Sequence, residues 1–357
     1  MRRMRLVVAV AALAALAYSG FAQSQEGPIL IGASIPLTGG VSMFGQHSRW
    51  GAELAAAEAN AKGGVLGRKI EIDFQDNRCN PAEAVKSVTQ MLAEKKYVAI
   101  FDGLCSSAAL AIMPLVERAG VPFVVANASA TSIAERSGVG GNKWTFKVNP
   151  TDASMLDALV GWLDKEGKAN NIAFLGEDSD FGRAGSTGLE NALKKRSLKL
   201  ATVDFFQKGN ADFQNAMRQW YGLGGGVPLT GRVLVDQIPK EIMESGFVDG
   251  TTSVQPYDPS IDTPGNKAFV ESFRKLHNAP PILVSFESYE AMKVLIDAIR
   301  RAGKADPAAI RDALATTKLP SILGTVIDFD DHNLAHNNAI ILTIKGGKVV
   351  VLGMSKT

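Results

Sequence analysis

From Ile29 onward, short apolar stretches alternate with amphipathic ones, and this alternation limits the fold more than any other feature. The stretches ILIGASIP and YVAIFD have the length and composition of buried strands. Between them, Trp50 and Leu54 follow helical spacing. Repeated strand–helix units of this length predict a parallel sheet with helices on both faces, and hence an α/β fold.

A second strand–helix series begins after Asn149-Pro150, so the sequence predicts two successive α/β units. The length of 357 residues also favours two domains over one. The C-terminal stretch TVIDFDDHNLAHNNAIILTIKGGKVVVLG alternates differently, in the manner of antiparallel strands joined by a Gly-Gly turn.

In one region of the second unit the strand–helix alternation is interrupted. After a strand that ends at Phe206, a helix following Asp212 runs directly into GLGGG and then into a strand around Arg232–Val235. A doubly wound unit would place another strand and helix here, roughly 5–6 plus 11 residues by typical lengths. We therefore predict that the second unit lacks a strand and a helix.

The first residues, MRRMRLVVAVAALAALAYSGFAQSQ, have the layout of a cleavable export signal. Three arginines precede an apolar run from Leu6 to about Ala17, and Gly20 and Ala22 suit the −3 and −1 positions. The alternative is an uncleaved anchor helix, although the run is short for a span of ~20 residues. We expect a signal peptide over residues 1–22, cleaved near Ala22, and export to the periplasm.

The predicted export bears on the chemistry of the two cysteines. In an oxidising compartment Cys79 and Cys105 most simply form one disulfide. The histidines are scattered and show no ligand spacing with either cysteine, so we expect no metal site and no cofactor. The net charge of +2 and the absence of a basic run with interleaved aromatics give no case for nucleic acid.

Enzyme signatures fail their structural tests. GLGGG follows a helix and precedes a strand, the reverse of the order that phosphate binding requires. Asp102, Asp178 and Asp180 lie at strand ends and could act as acids or bases, yet aspartate in such loops is usually turn chemistry or a helix cap. We expect no catalytic residues.

The loops at the carboxyl ends of the strands are the predicted ligand site, because open α/β sheets bind ligands there. They are rich in Gly, Ser, Thr and Asn and read PLTGGVSMFG (36–45), DGLCSSA (102–108), ANASATS (126–132) and GEDSDFGRAG (176–185). Ser106 or Ser107 would sit at a helix N-terminus, a ready site for a carboxylate. The alternative is that these residues serve only as caps and turns; convergence of several loops favours a small polar ligand.

The sequence also resembles a known family. The resemblance lies in the order and spacing of IGASIPLTGG…FG, AEANAKGGVLGRKIEI, QDNRCNPAEAV, GLCSSA, GVPFV, EDSDFGRAG and DFDDHN…IILTIKGG. These segments are similar to those of the periplasmic substrate-binding proteins of branched-chain amino-acid-type ABC transporters, the leucine/isoleucine/valine-binding family of type I periplasmic binding fold. The resemblance implies a two-lobed clamp that closes by hinge bending on a ligand and then docks on a membrane permease.

The lobe boundaries follow from that likeness. Lobe one is expected at residues 27–148 and 258–330, and lobe two at 149–257 and 331–357, each a mostly parallel sheet flanked by helices. The resemblance also implies the Cys79–Cys105 disulfide.

Ligand contacts are implied residue by residue. Ser106 matches the serine that holds the ligand carboxylate, and Phe181 stands where amino-acid binders often have tyrosine. The other matches are Phe44 as an aromatic wall, Ala128 and Ser129 as first-lobe contacts, and Thr131, one step after the position Ala130 where a threonine is expected.

Two departures from the family pattern bear on function. The acidic residue that holds a ligand ammonium falls at about Val233, and Asp236 could replace it only with a shifted loop. The irregular stretch at 212–230 is where the family has a further strand and a pocket aromatic, so an internal deletion is predicted there, with exposed sheet edges as one consequence.

The expected function is an exported solute-binding protein that captures an amino acid or a related small carboxylate and delivers it to an ABC permease. The alternatives are a binder of aromatic or other non-amino-acid carboxylates or amides, a truncated remnant that does not transport, and, with least support, an exported α/β hydrolase.

Overall fold

The computed structural model describes residues 27–102, 104–207, 229–232, 238 and 240–356. The predicted signal peptide lies outside the described residues. So do Val233, Asp236 and most of the stretch at 212–230 for which a deletion is predicted. None of the helices in the described ranges is long and apolar enough to cross a membrane.

A parallel sheet of five strands forms the centre of the first lobe, as the alternation predicts. Its strands are β1 (Ile29–Ile35), β2 (Ile70–Asp76), β3 (Tyr97–Asp102), β4 (Phe123–Val125) and β5 (Thr145–Lys147). The connecting helices are α1 (Ser42–Ala61), α2 (Pro81–Glu94), α3 (Ser106–Ala119) and α4 (Thr131–Arg136). The spatial order is β2-β1-β3-β4-β5, with every neighbouring pair parallel.

Local sequence explains where these helices begin. Asn80 accepts hydrogen bonds from the N–H groups of Ala82 and Glu83, and Pro81 occupies the first helical position, so α2 starts at the cap and proline that the sequence indicates. Helix α3 ends at Gly120, whose φ of +64° suits a left-handed cap.

The second lobe begins with α5 (Asp152–Lys165), β6 (Phe174–Glu177), α6 (Asp180–Lys194), β7 (Val203–Phe206), α7 (Lys240–Glu244) and β8 (Thr252–Gln255). Strands β6 and β7 form a parallel pair. Helices α5 and α6 pack together over a core that includes Met155, Leu159 and Leu193.

The chain then returns to the first lobe through α8 (Pro264–His277), α9 (Leu283–Ala302), α10 (Pro307–Ala315), β9 (Leu319–Pro320) and β10 (Val326–Ile327). Helix α9 packs along α1 at close range. A Cβ on Gly51 of α1 would lie 2.1 Å from the carbonyl oxygen of Ser285, so only glycine permits this approach. Ser48 and Ser288 hydrogen-bond across the same contact at 2.7 Å.

A last crossover leads to β11 (Asn338–Lys345) and β12 (Lys348–Lys356), the predicted antiparallel hairpin. Gly346 and Gly347 both have positive φ at its turn. Strand β11 also pairs with β8, so the order is β12-β11-β8, a sheet separate from β6-β7 in the described residues. The described part of the second lobe therefore combines a parallel pair of strands with an antiparallel trio.

The Cys79–Cys105 disulfide is confirmed, with Cα atoms 5.5 Å apart. Cys79 lies in the turn between β2 and α2, and Cys105 is the residue before α3. The bond therefore joins two loops at the carboxyl edge of the five-stranded sheet.

Replacing both cysteines by serine should lower the free energy of unfolding by about 3 kcal/mol, because the bond closes a loop between residues 26 apart in sequence. Urea titration with and without dithiothreitol measures this loss. The reduced parent protein should match the double variant, and the variant should not respond to the reductant. If the urea unfolding midpoint of the parent protein were the same with and without dithiothreitol, the prediction would be contradicted.

Candidate functional site

The sheet order defines a crevice at the carboxyl edge of the first lobe. Strand β2 lies on one side of β1 and β3 on the other, so the connections after β1 and β3 diverge at a topological switch point. The predicted loops 36–45 and 102–108 follow these two strands. The fold thus brings both to the place where open sheets bind ligands.

Ser106 lies at this switch point. It is the first residue of α3, and it is buried. Its Oγ accepts a hydrogen bond from the backbone N–H of Ala130 at 3.2 Å, which seats the 126–132 loop against the N-terminus of α3. Ser107 lies one position further on and is half-buried.

The loop at 128–131 is held from behind by hydrogen bonds. The carbonyl of Ala128 accepts from Lys147 Nζ at 2.7 Å, and that of Ser129 accepts from the N–H of Asp152 at 2.8 Å. Thr131 begins α4, and its Oγ1 accepts from the N–H of Ala153 at 3.3 Å. These bonds fix the loop before any ligand arrives.

Helix α6 of the second lobe faces this loop. Ala184 of α6 packs against the first-lobe core that contains Cys105 and Ala128. Phe181, at the start of α6, is 40% exposed, so its ring is available to a ligand. A Cβ on Gly182 would lie 1.9 Å from the carbonyl oxygen of Glu177, so glycine allows α6 to start this close to β6.

The fold therefore brings only some of the predicted ligand contacts together. Ser106, Ala128, Ser129 and Thr131 form one group in the first lobe. Phe181 lies on α6 across from them. Phe44 is half-buried in the first turn of α1, and no hydrogen bond or ring contact among the described residues joins it to that group. The role of all these residues as ligand contacts stays a prediction.

A buried charge cluster lies directly behind the loop, and sequence reasoning missed it. Its members are Lys147, Asn149, Asp152, Arg232 and Glu287. The ammonium of Lys147, which has no exposed surface, also donates to Asn149 Oδ1 at 2.6 Å and to the carbonyl of Pro150 at 3.1 Å. Arg232 forms an ion pair with Asp152, whose side chain is 1% exposed.

Glu287 is a member of the cluster whose pKa is strongly shifted. Burial in α9 raises its pKa to about 8, because desolvation penalises the carboxylate. Arg232, Lys147 and a hydrogen bond with Asn149 oppose this rise only in part. Glu287 therefore holds its proton at neutral pH.

A small cavity of about 20 Å³ adjoins Glu287, with room for about one water molecule. Residues of all three crossovers between the lobes line it, together with Glu287 and Glu290. The crossover residues in its wall are Val148, Asn149, Pro150, Pro256, His336, Asn337 and Asn338. The cluster thus lies where the chain passes between the lobes.

The sequence did contain a signal for these charges. Glu287 follows Leu283 by four positions and precedes Val294 by seven, so it stands on the apolar face of α9. Lys147 is likewise the charged end of a strand that is otherwise buried. A charged residue at a position whose periodicity predicts burial indicates a buried pair or network.

A family model described as periplasmic binding protein matches residues 28–224 and 221–348. The junction of the two matches falls within the stretch for which a deletion is predicted. The Leu/Ile/Val-binding protein homolog 7 of Brucella abortus (strain 2308) is 26% identical over 367 residues, covering 90% of each chain.

Solved structures share the fold. A solute-binding protein of an R. palustris ABC transporter, in complex with benzoate, has a TM-score of 0.81 at 20% identity and covers 92% of this chain and 96% of its own. A leucine-binding protein, LivK, of Thermotoga maritima MSB8 has a TM-score of 0.76 at 22% identity, covering 91% and 98%. These likenesses concern the fold, and they confirm the α/β two-lobed architecture predicted from sequence.

Protonation of Glu287 predicts a specific pH dependence of stability. Between its ordinary pKa of 4.5 and about 8, the folded state keeps a proton that the unfolded state has released. Raising the pH through this window should therefore remove about 1.4 kcal/mol of unfolding free energy per pH unit. The Glu287→Gln variant, which is neutral throughout, should lack this contribution.

Urea titrations at several pH values between about 5 and 9 measure the difference between the parent and Glu287→Gln. Glu190→Gln, on the exposed side of α6, is the matched control and should follow the parent. Parallel pH profiles for the parent and Glu287→Gln would show that Glu287 is ionised in the folded protein.

Proposed function

Because the chain belongs to the periplasmic binding protein family, we propose that it captures a small carboxylate between its lobes and delivers it to an ABC transporter permease. The observation that supports this best is the switch-point crevice, where Ser106 and the loop at 128–131 lie at the N-terminus of α3 and face α6 of the other lobe. The family consists of substrate-binding proteins, and we propose no catalytic residue.

The N-terminus of α3 favours a carboxylate on physical grounds. The helix has 14 residues and no acidic residue in its first turn, so its free N–H groups and dipole meet no competing negative charge in that turn. The hydroxyl of Ser106 adds a donor at the same point. A carboxylate placed there would complete the hydrogen bonding of the helix end.

The names of the relatives agree with this ligand class. Leucine, isoleucine and valine appear in the name of the Brucella relative, leucine in that of the Thermotoga structure, and benzoate is bound in the R. palustris structure. All of these molecules have a carboxylate, and only some have an ammonium group. We therefore propose the carboxylate as the recognised group, with Phe44 and Phe181 as walls for an apolar or aromatic remainder.

The rest of the proposal concerns the lobes and location. Residues 27–148 and 258–330 form lobe one and 149–257 and 331–357 lobe two, hinged at three crossovers. Residues 1–22 direct export to the periplasm and are removed near Ala22. A membrane permease is the partner that receives the ligand.

Carboxylates should stabilise the purified protein, and their primary amides should not. Thermal denaturation with matched pairs tests this: benzoate and benzamide, 4-methylpentanoate and 4-methylpentanamide, leucine and leucinamide. A carboxylate at a hundredfold excess over its Kd should raise stability by about 2.7 kcal/mol. No response to any carboxylate would contradict the proposal and favour a remnant that does not bind, and an equal response to the amides would contradict carboxylate recognition.

Ser106→Ala should weaken the best carboxylate about tenfold, because it removes one hydrogen bond to a charged group. Isothermal titration calorimetry measures the change. Ser245→Ala removes an exposed hydroxyl of the second lobe and is the matched control. Unchanged affinity in Ser106→Ala would place the carboxylate elsewhere.

A further inference from the structure

Arg232 is a second-lobe cation at the edge of the proposed site. Its guanidinium carbon lies 5.9 Å from the ring centroid of Phe181, and its Nη1 donates to Asp152. Asp152 in turn donates its backbone N–H to the carbonyl of Ser129 at 2.8 Å. Arg232 therefore contacts Phe181 directly and is connected to the 128–131 loop through Asp152.

The hydrogen-bonding capacity of Arg232 is not used up. Its side chain is only 15% exposed. The buried Nε nevertheless has no hydrogen-bond partner in the described part of the chain. A guanidinium has five N–H donors in a planar fork, which suits a carboxylate or an adjacent oxygen acceptor. Oδ2 of Asp152 is equally without a partner there, so the ion pair engages one oxygen only.

The described charges of the buried cluster do not balance. Arg232 and Lys147 are two buried or nearly buried cations, and Asp152 is paired with the first. Glu287 interacts with both cations but is protonated at neutral pH, since burial raises its pKa to about 8. Among the described residues of the cluster, two positive charges and one negative charge leave an excess of +1. A buried excess charge is costly, so an entering anion would be stabilised and an entering cation opposed.

We propose that Arg232 determines which carboxylates this protein accepts: it favours a ligand whose carboxylate is flanked by an oxygen acceptor, such as a 2-oxo acid, and excludes the α-ammonium of an amino acid. This inference rests on the proposed function, because it assumes that a carboxylate binds at Ser106 and the 128–131 loop. Arg232 then donates to the acceptor beside that carboxylate. An ammonium group in the same place would face a guanidinium and the excess positive charge.

The test uses ligands that differ only in the α-substituent. One series is leucine, 4-methyl-2-oxopentanoate and 4-methylpentanoate; the second is phenylalanine, phenylpyruvate and 3-phenylpropanoate. Titration calorimetry gives the ratio of Kd values within each series, so the fit of the carbon skeleton cancels. We expect the oxo acid to bind at least about tenfold more tightly than the amino acid in whichever series binds.

Variants assign the preference to Arg232. Arg232→Gln removes the charge but leaves Asp152 unpaired, so the Arg232→Gln/Asp152→Asn double variant removes both charges together. In either variant the ratio of oxo acid to amino acid affinity should fall by about tenfold, because both lose the guanidinium donor, although Lys147 keeps an excess of +1 in the double variant. Arg183→Gln, an exposed arginine on α6 that pairs with Asp178, is the matched control and should keep the parent ratio.

The outcomes separate the two proposals. Tight binding of the amino acid in preference to the oxo acid, or an unchanged ratio in the double variant, would overturn the role of Arg232 and leave carboxylate capture intact. No binding of any member of either series would count against both.

Discussion

The buried ammonium of Lys147 is the interaction on which the centre of this molecule depends. A desolvated ammonium is tolerated only where acceptors surround it, and here they come from the 126–132 loop and the first crossover. The backbone of Lys147 also pairs with the third crossover, through the carbonyl of Asn333 and the N–H of Ala335. One residue at the end of β5 thus orders the proposed ligand loop and two of the connections between lobes.

Around this point the protein buries Lys147, Asp152 and Glu287 behind the proposed site, and Arg232 lies at the edge of that site. The ammonium of Lys147 and the backbone N–H of Asp152 hold the loop carbonyls, so the surface of the proposed site is formed by helix ends, Ser106 and an aromatic ring. Under the proposed function, such a surface would recognise a carboxylate by oriented dipoles. The charged residues set the sign of the field that the remainder of the ligand meets.

Much of the fold, and the position of Ser106 at a helix N-terminus, could be predicted from the sequence. Strand–helix alternation gave the parallel sheet, Asn80-Pro81 gave the start of α2, and Ser106 was placed at a helix N-terminus because it follows a strand and precedes an alanine-rich helix. Those features depend on local propensity and spacing, which a single sequence displays.

The buried cluster could not be predicted in the same way. Arg232 and Asp152 are 80 positions apart, and Glu287 reaches them from a helix that returns to the first lobe after the whole of the second. Their pairing depends on how the lobes cross, which no local pattern records. The pairing of β11 with β8 is hidden for the same reason, since it joins strands far apart in sequence.

The hydrogen bonds that fix the 128–131 loop have a mechanical consequence. Asp152 and Ala153 belong to the first turn of α5, yet their N–H groups are bonded to Ser129 and Thr131 of the other lobe. A rotation centred on residues 149–150 would break both bonds at the loop of the proposed ligand site. The angle between the lobes is therefore coupled to the shape of that loop. A ligand that orders the loop would also oppose opening of the lobes.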